Sequence, residues 1–392
     1  MSSSQLDQSR QRGSATPSSS TRPTTNTTRT KSTGAYDRAF HQHLVDNGVY
    51  PNAYEYLDGS VSEPNNLEDL TRMLAQPRPS LSPSRFTDRE FKELSRADAH
   101  ASKEKQVSEM VIPIIEGKIS DGQCRSGGIP FTNLDPLTDG TLKPGNPDIY
   151  YGARPEHLSL IVRDELSGQI IPSTQHDLPI APNFFLAVKG PDGSAAVAKR
   201  QACYDGALGA RGMHSLQSYG QGNSVYNNAS TITSIFHNGQ LQMYTSYITP
   251  SSNPGARPEH HMTQVNAWGL TGNLETCRDG LRAYRNGRDW CKKQRDEAIR
   301  QANERANPVE AEVSAGDAAA SPALSIVTAV PETEAYTMSQ ESRTSLDEDL
   351  DSLEENDSSE DLAVHTFPAK RPNKHSKQAQ TRKRRNANVT DS

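Results

Sequence analysis

The chain has 392 residues, of which 33% are hydrophobic and 23% charged, with a formal net charge of −6 at pH 7. Spread evenly, so low an apolar content would not support a folded core. The longest apolar run, residues 110–115, is far too short to span a bilayer, and the N-terminus lacks the apolar stretch of a secretory signal. We therefore expect neither a membrane protein nor a secreted one.

The apolar residues are concentrated between about residues 35 and 305, which hold both tryptophans and all four cysteines. The flanking segments 1–34 and 306–392 are polar and of low complexity. Such segments cannot bury enough apolar surface to offset their ordering entropy, about 1–2 kcal/mol per residue for the backbone. We expect two disordered tails around a helical wrapping extension at 35–96 and an α/β core at 97–305.

Cysteines and paired histidines do not form a recognisable metal site. The four cysteines are widely scattered with no Cys-x-x-Cys pair, so reduced core cysteines are expected. The pairs His41/His43 and His260/His261 have no cysteine or carboxylate at ligand spacing. Surface positions are therefore expected for these histidines.

Helical spacing of apolar residues predicts most of the helices. Thr87 and Glu90 are typical of a capping box, and Ser194 is a favourable N-cap. Pro113 is expected to kink the helix that contains it. The predicted helices are 36–47, 67–74, one that begins near 87, 97–116, 195–209 and 273–305.

Two stretches predict strands, and a third predicts a β-hairpin. Residues 182–190 form an apolar run that ends in one lysine, and residues 148–151 follow a proline that can begin a strand. Residues 230–248 alternate in polarity around Asn238-Gly239, which is typical of a two-residue hairpin turn. The order of elements predicts a mixed sheet flanked by helices, with an N-terminal helical extension and a long C-terminal helix.

Charged side chains fall at the ends of the predicted strands. Asp148 begins one strand and Lys189 ends another, while Glu109 lies on the preceding helix with Glu104 as the alternative. Carboxylates hold hard divalent ions such as Mg²⁺ against a scissile phosphate. A lysine positions the attacking water and stabilises developing negative charge. The set therefore indicates Mg²⁺-dependent phosphodiester hydrolysis.

The order of these residues resembles that of the PD-(D/E)XK nuclease superfamily. It comprises a helix with a glutamate, a Pro-Asp pair, an apolar strand that ends in lysine, and a helix. Segments 150–156, 184–193 and 200–207 resemble more closely an uncharacterised domain family of filamentous fungi, over about residues 85–300. The resemblance implies a restriction-endonuclease-like mixed sheet.

Carried over by position, the resemblance assigns roles to several residues. Asp148 matches the first metal-binding aspartate, Lys189 the catalytic lysine, and Glu109 the acid of the helix. Gln201 and Tyr204 resemble a glutamine and a tyrosine that some branches carry on the following helix, although one residue closer together than usual.

The chain departs from the superfamily pattern at Ala187, where an aspartate or glutamate is required. A methyl group cannot coordinate a metal. Either the second carboxylate has moved to the following helix as Asp205, four residues after Gln201, or the site has lost metal affinity. The candidate metal ligands are thus Asp148, Glu109 and Asp205. An impaired nuclease and a non-catalytic binding module on the same fold both remain open.

Several basic residues are candidates for phosphate contacts. They are Lys199, Arg200 and Arg211, in and just after the helix predicted at 195–209, and Arg154, after the first predicted strand. These side chains would either contact the phosphates along a nucleic-acid backbone or form a solvated surface. The basic side of the helix at 273–305 leaves the same two alternatives open.

The C-terminal tail carries a dense acidic run at 341–361, followed by two basic clusters separated by ten residues. This spacing resembles a bipartite nuclear import signal, which predicts a nuclear location and an import receptor as partner. The alternative is a basic tail that contacts nucleic acid without specificity. The residues of the two clusters are Lys370, Arg371, Arg382, Lys383, Arg384 and Arg385.

Overall fold

A mixed sheet of seven strands forms the centre of the protein, with helices on both faces. It confirms the predicted α/β class and the long C-terminal helix. The structure, a computed structural model, describes residues 32–175, 177–221, 226–251 and 257–307. The predicted disordered tails and the basic clusters therefore lie outside the described residues, apart from the few tail residues next to the core.

The strands lie in the order β1-β7-β6-β5-β4-β3-β2. β1 is parallel to β7 and β4 is parallel to β5, whereas all other neighbouring strands are antiparallel. The strands are β1 (Val49–Tyr50), β2 (Arg125–Ser126), β3 (Ile149–Ala153), β4 (Ile180–Lys189), β5 (Thr231–His237), β6 (Gln240–Thr249) and β7 (Glu259–Gly269).

Two of the predicted helix starts agree with their capping signals. Thr87 and Glu90 form the expected capping box, and Ser194 caps its helix by accepting a hydrogen bond from the Val197 N–H. The helices are α1 (Ala39–Asp46), α2 (Leu67–Leu74), α3 (Asp88–His100), α4 (Glu104–Gln106), α5 (Ile112–Glu116), α6 (Leu160–Glu165), α7 (Ser167–Ile170), α8 (Ala195–Ser218) and α9 (Leu274–Ala306).

The single helix predicted at 97–116 is wrong. α3 ends at His100, and a separate helix, α4, begins two residues after Ser102. The N–H and the hydroxyl of Ser102 both donate to the Gln106 side-chain oxygen. A π-helical turn, Val107–Val111, then leads into α5. Pro113 explains this turn, because it has no N–H to donate to the residue four positions earlier and its ring crowds that carbonyl.

β4 is the central strand, and all ten of its residues are buried. Alternate side chains enter different cores, as expected for a strand covered on both faces. Phe184 and Leu186 pack on the side of α9, whereas Phe185 and Ala187 pack on the side of α8. By the same alternation, Lys189 faces α8.

The arginines of α9 tether this helix to the rest of the fold. The sequence left open whether these side chains contact nucleic acid or solvent, and four of them instead bind the protein itself. They donate to backbone carbonyl oxygens: Arg278 to Phe86, Arg285 to Ile114 and Ile115, Arg288 to Glu116 and Lys118, and Arg295 to Tyr151.

All four cysteines are buried and free, as predicted. The surface position predicted for His260 and His261 is wrong, since their exposed fractions are 8% and 5%. Both lie in β7, a strand that the sequence did not reveal, between β1 and β6. The Asn238-Gly239 hairpin is confirmed, with φ of 49° and 69° at the two turn residues.

Replacing Arg295 by alanine is expected to destabilise the protein by about 2–3 kcal/mol, because it leaves buried hydrogen-bond acceptors without a donor. The side chain is 2% exposed and donates to Asn183 Oδ1 at 2.5 Å and to the Tyr151 carbonyl at 3.3 Å. Urea unfolding would measure the loss. Lys293→Ala, at an exposed position on the same helix, is the control and should change stability by less than about 0.5 kcal/mol. A more stable Arg295→Ala protein would contradict the tethering role.

Candidate active site

Asp148 and Lys189 meet because β3 and β4 are antiparallel neighbours. The pairing of Ile149 with Leu186 brings the start of β3 beside the end of β4. Asp148 Oδ2 accepts a hydrogen bond from the Val188 N–H at 2.7 Å and lies 3.6 Å from Lys189 Nζ. The two residues that the sequence placed at strand ends therefore form one ion pair.

Glu104 supplies the acid of the preceding helix. Lys189 Nζ donates to Glu104 Oε2 at 3.3 Å and to the Val188 carbonyl at 2.8 Å. Glu109 is exposed and does not line the pocket around Lys189. The structure thus brings the alternative residue, Glu104, to the site in place of Glu109. The restart of the helix at residue 104 and the π-helical turn after it change which acid faces the strand ends.

Helix α8 contributes Gln201, Tyr204 and Asp205 to the same pocket. Gln201 and Asp205 are four residues apart and therefore share a face of the helix. Gly206 lets α8 approach the sheet closely, since a Cβ there would lie 2.3 Å from Ser246 Oγ. This close approach buries Asp205 beside the end of β4.

The Asp205 carboxyl group is 4% exposed. Burial, followed by the negative charge of Asp148, raises its pKa well above the ordinary value, and Lys189 only partly opposes the shift. No hydrogen bond from a described residue reaches this carboxyl group, and the buried Gln201 Oε1 also has no partner among the described residues. Within the described residues, Gln201 Oε1 thus lacks a donor, and Lys189 only partly offsets the burial of the Asp205 carboxyl group.

The pocket has a volume of about 390 Å³. One wall is the N-terminal segment at residues 34–40, a second is the loop at 143–146, and α8 forms a third. Sequence reasoning missed the first two walls. Their long-range contact, in which Thr33 pairs with Leu142, leaves no local pattern. Only the spacing of Tyr36 and Phe40 could have drawn attention to this segment.

The donors in the pocket fit a hard divalent ion in part. Carboxylate oxygens of Asp148 and Asp205 and the amide oxygen of Gln201 are ligands that Mg²⁺ prefers. In the described part of the chain, no three histidine, cysteine, aspartate or glutamate side chains are placed to hold one metal ion. Asp148, Asp205 and Gln201 line the pocket with such oxygen atoms. Lys189 Nζ lies 3.3 Å from Glu104 Oε2 and 3.6 Å from Asp148 Oδ2.

Most of the basic residues expected on phosphate have other partners. Arg154 Nε donates to Asp121 Oδ2 at 2.7 Å. Arg211 donates to the carbonyls of Asp135 and Gly168, at 2.6 and 3.4 Å, and burial lowers its pKa. Both guanidinium groups thus bind the protein itself, and their contact with phosphate stays a prediction.

Arg200 and Lys199 lie on α8 next to the pocket. Arg200 Nε donates to the Ala35 carbonyl at 2.6 Å and so holds the N-terminal wall. Lys199 is exposed and lines a neighbouring pocket of about 250 Å³. Of the four residues predicted to contact phosphate, Lys199 is the one whose charged group faces the surface.

No protein-family model, no curated protein and no solved structure matches the chain. The resemblance described above rests on the residues of this chain alone. Within residues 32–307, as far as they are described, no helix has the length and apolar character that crossing a membrane requires.

Asp205→Asn is expected to stabilise the protein in EDTA near neutral pH. Because the folded-state pKa of Asp205 is raised, the buried acid costs folding free energy above its ordinary pKa of 3.8, and this cost grows until the folded-state pKa is reached. The variant should match wild type below about pH 4 and exceed it increasingly as the pH rises.

Urea unfolding across this pH range would measure the difference. Asp192→Asn, on an exposed turn, is the matched control and should follow wild type throughout. An Asp205→Asn protein whose stability parallels wild type at every pH would show that the buried acid is already compensated.

Proposed function

We propose that the pocket is a Mg²⁺-dependent phosphodiester-hydrolysing site of the PD-(D/E)XK type, weakened by Ala187 and partly restored by Asp205. The observation that carries the proposal is the 3.6 Å contact between Asp148 and Lys189, in a pocket that also contains Glu104 and Asp205. Acids and a lysine at the ends of adjacent strands are what such chemistry requires.

The order of elements around the pocket supports this proposal. α4 and α5 precede three antiparallel strands, β2, β3 and β4, and α8 then crosses to β5, which is parallel to β4. Asp148 stands before the second of these strands and Lys189 ends the third. This is the sequence of helix, Pro-Asp, lysine strand and helix that the resemblance implies.

Each side chain has a distinct task in the proposed reaction. A bound Mg²⁺ would neutralise the scissile phosphate and lower the pKa of a bound water. Asp148, Asp205 and the Gln201 oxygen would hold the ion. Lys189 would donate to a phosphate oxygen and stabilise the charge that develops there. Glu104 orients the lysine through their 3.3 Å contact.

A non-catalytic binding module on the same fold is the second candidate. Two observations favour it. Ala187 is buried among apolar side chains on the α8 side, where its methyl group cannot ligate a metal. Lys189 is also already engaged by two carboxylates and a carbonyl. On this alternative, the pocket binds nucleic acid or a protein partner without cleaving it.

The proposal includes a nuclear location. The clusters at 370–371 and 382–385 would bind an import receptor, and the acidic run before them would shield or solubilise this end of the chain. Nuclear delivery accords with a DNA or RNA substrate.

Cleavage of labelled DNA and RNA in Mg²⁺ or Mn²⁺ tests the catalytic proposal. Asp148→Asn and Lys189→Met are each expected to lower the rate by about 10²–10³, the effect of removing one electrostatic group from such a site. Ala187→Glu should raise the rate, because it returns a carboxylate to the strand. Glu109→Gln, at an exposed position outside the pocket, is the control.

Two outcomes would redirect the assignment. Activity that survives Asp148→Asn would locate the chemistry elsewhere. Inactivity of both wild type and Ala187→Glu, together with retained binding, would favour the binding module.

Import is tested with the full chain fused to two fluorescent proteins, so that passive entry into the nucleus is slow. Alanine at all six basic positions of the two clusters is expected to move the fusion from nucleus to cytoplasm. Alanine at the basic residues of the N-terminal segment, Arg10, Arg12, Arg22, Arg29 and Lys31, is the matched control. Unchanged nuclear fluorescence after the C-terminal substitutions would reject the import signal.

A further inference from the structure

The N-terminal wall of the pocket is fixed to the fold by backbone hydrogen bonds. The Thr33 N–H donates to the Thr141 carbonyl at 3.0 Å, and the Lys143 N–H donates to the Thr33 carbonyl at 2.9 Å. Arg200 adds its bond to the Ala35 carbonyl at 2.6 Å. The wall is therefore a built part of the site.

This wall limits the size of what can enter. The pocket, at about 390 Å³, lies at the lower end of the range for small-molecule sites, about 300–1,000 Å³. The walls at 34–37 and 143–146 flank it. A base can stack on a side chain of this wall only when it is unpaired, which favours a single strand over a duplex.

Tyr36 stands on the wall with its ring turned outward. It is 76% exposed, and among the exposed large hydrophobic side chains of the described residues only Leu57 is more accessible. A tight turn presents it, in which the Asp37 N–H donates to the Gly34 carbonyl and the Gly34 N–H donates to Asp37 Oδ2. An exposed ring held rigidly beside a phosphate-directed site is a platform on which a base can stack.

The charges around the pocket make such a platform necessary. Four carboxyl groups line it, from Asp37, Glu104, Asp148 and Asp205, against the two ammonium groups of Lys143 and Lys189. Phosphate attraction to this pocket is therefore weak unless a divalent cation is bound. Stacking adds affinity that does not depend on charge. Lys143, exposed on the adjoining wall, remains to contact a backbone phosphate.

We infer that the site takes single-stranded nucleic acid, with one base stacked on Tyr36 and the adjoining phosphate passing Lys143 toward Lys189. This inference rests on the proposed function and names its substrate class. DNA and RNA share the chemistry that the pocket recognises, so both are included in the test.

Fluorescence anisotropy with the full-length protein tests the inference at one fixed salt concentration. The probes are labelled eight-nucleotide DNA and RNA strands and a blunt DNA hairpin, in Ca²⁺ and in EDTA. Tyr36→Ala is expected to weaken single-strand binding about ten-fold or more, as loss of one stacked base does. Tyr36→Phe and Tyr36→Trp should retain affinity, because the ring remains. Leu160→Ala, another exposed apolar position at 65%, is the matched control.

The outcomes separate this inference from the proposed function. If wild type and Tyr36→Ala bind single strands equally, or if the blunt hairpin binds more tightly than single strands, the inference is overturned while the proposed function stands. If wild type binds no probe in Ca²⁺, the proposed function fails as well. Loss of binding in Tyr36→Ala with rescue by Tyr36→Trp supports the inference.

Discussion

The ammonium group of Lys189 is buried at the end of the central strand, and the surrounding elements compensate its charge. The side chain is 3% exposed, and its contacts are Glu104, Asp148 and the Val188 carbonyl. A buried charge without such partners would cost several kcal/mol. The antiparallel pairing of β3 with β4 and the restart of the helix at Glu104 are the two features of the fold that supply them. The ion pairs thus link the sheet, the preceding helix and the pocket.

Positive charge serves different purposes in different parts of the protein. On α9 the arginines donate to carbonyls of other elements, and Arg295 is almost entirely buried in this role. Arg154, Arg200 and Arg211 likewise bind acids or carbonyls. A row of arginines on a helix therefore does not by itself predict a nucleic-acid surface, because the arginines can bind carbonyl oxygens and acids of the protein itself. Around the pocket, acids predominate, so the proposed nucleic-acid substrate would depend on a cation and on stacking.

The sequence predicted correctly those features that depend on a few neighbouring residues. The capping box at Thr87, the N-cap at Ser194 and the Asn238-Gly239 turn are each settled by a few neighbouring residues. They appear in the structure as expected. The Asp148–Lys189 pair was also predictable, because residues at the ends of adjacent strands meet. β7 and the N-terminal wall depend on pairing with distant segments, and the register of Glu104 depends on a π-helical turn. Such features have no short-range pattern.

On the proposed function, Ala187 and Asp205 are two positions for one carboxylate. Ala187 packs in the same core as the α8 residues that flank Asp205. Without a bound cation, an acid at both positions would put two buried carboxylates near Asp148, and like charges so close cannot all ionise. A single acid on the helix avoids that repulsion, yet it remains buried without a hydrogen-bond donor and its pKa is raised. Such a group costs stability unless a proton or a cation compensates it. The Mg²⁺ of the proposed function would supply this compensation and allow Asp205 to ionise beside Asp148.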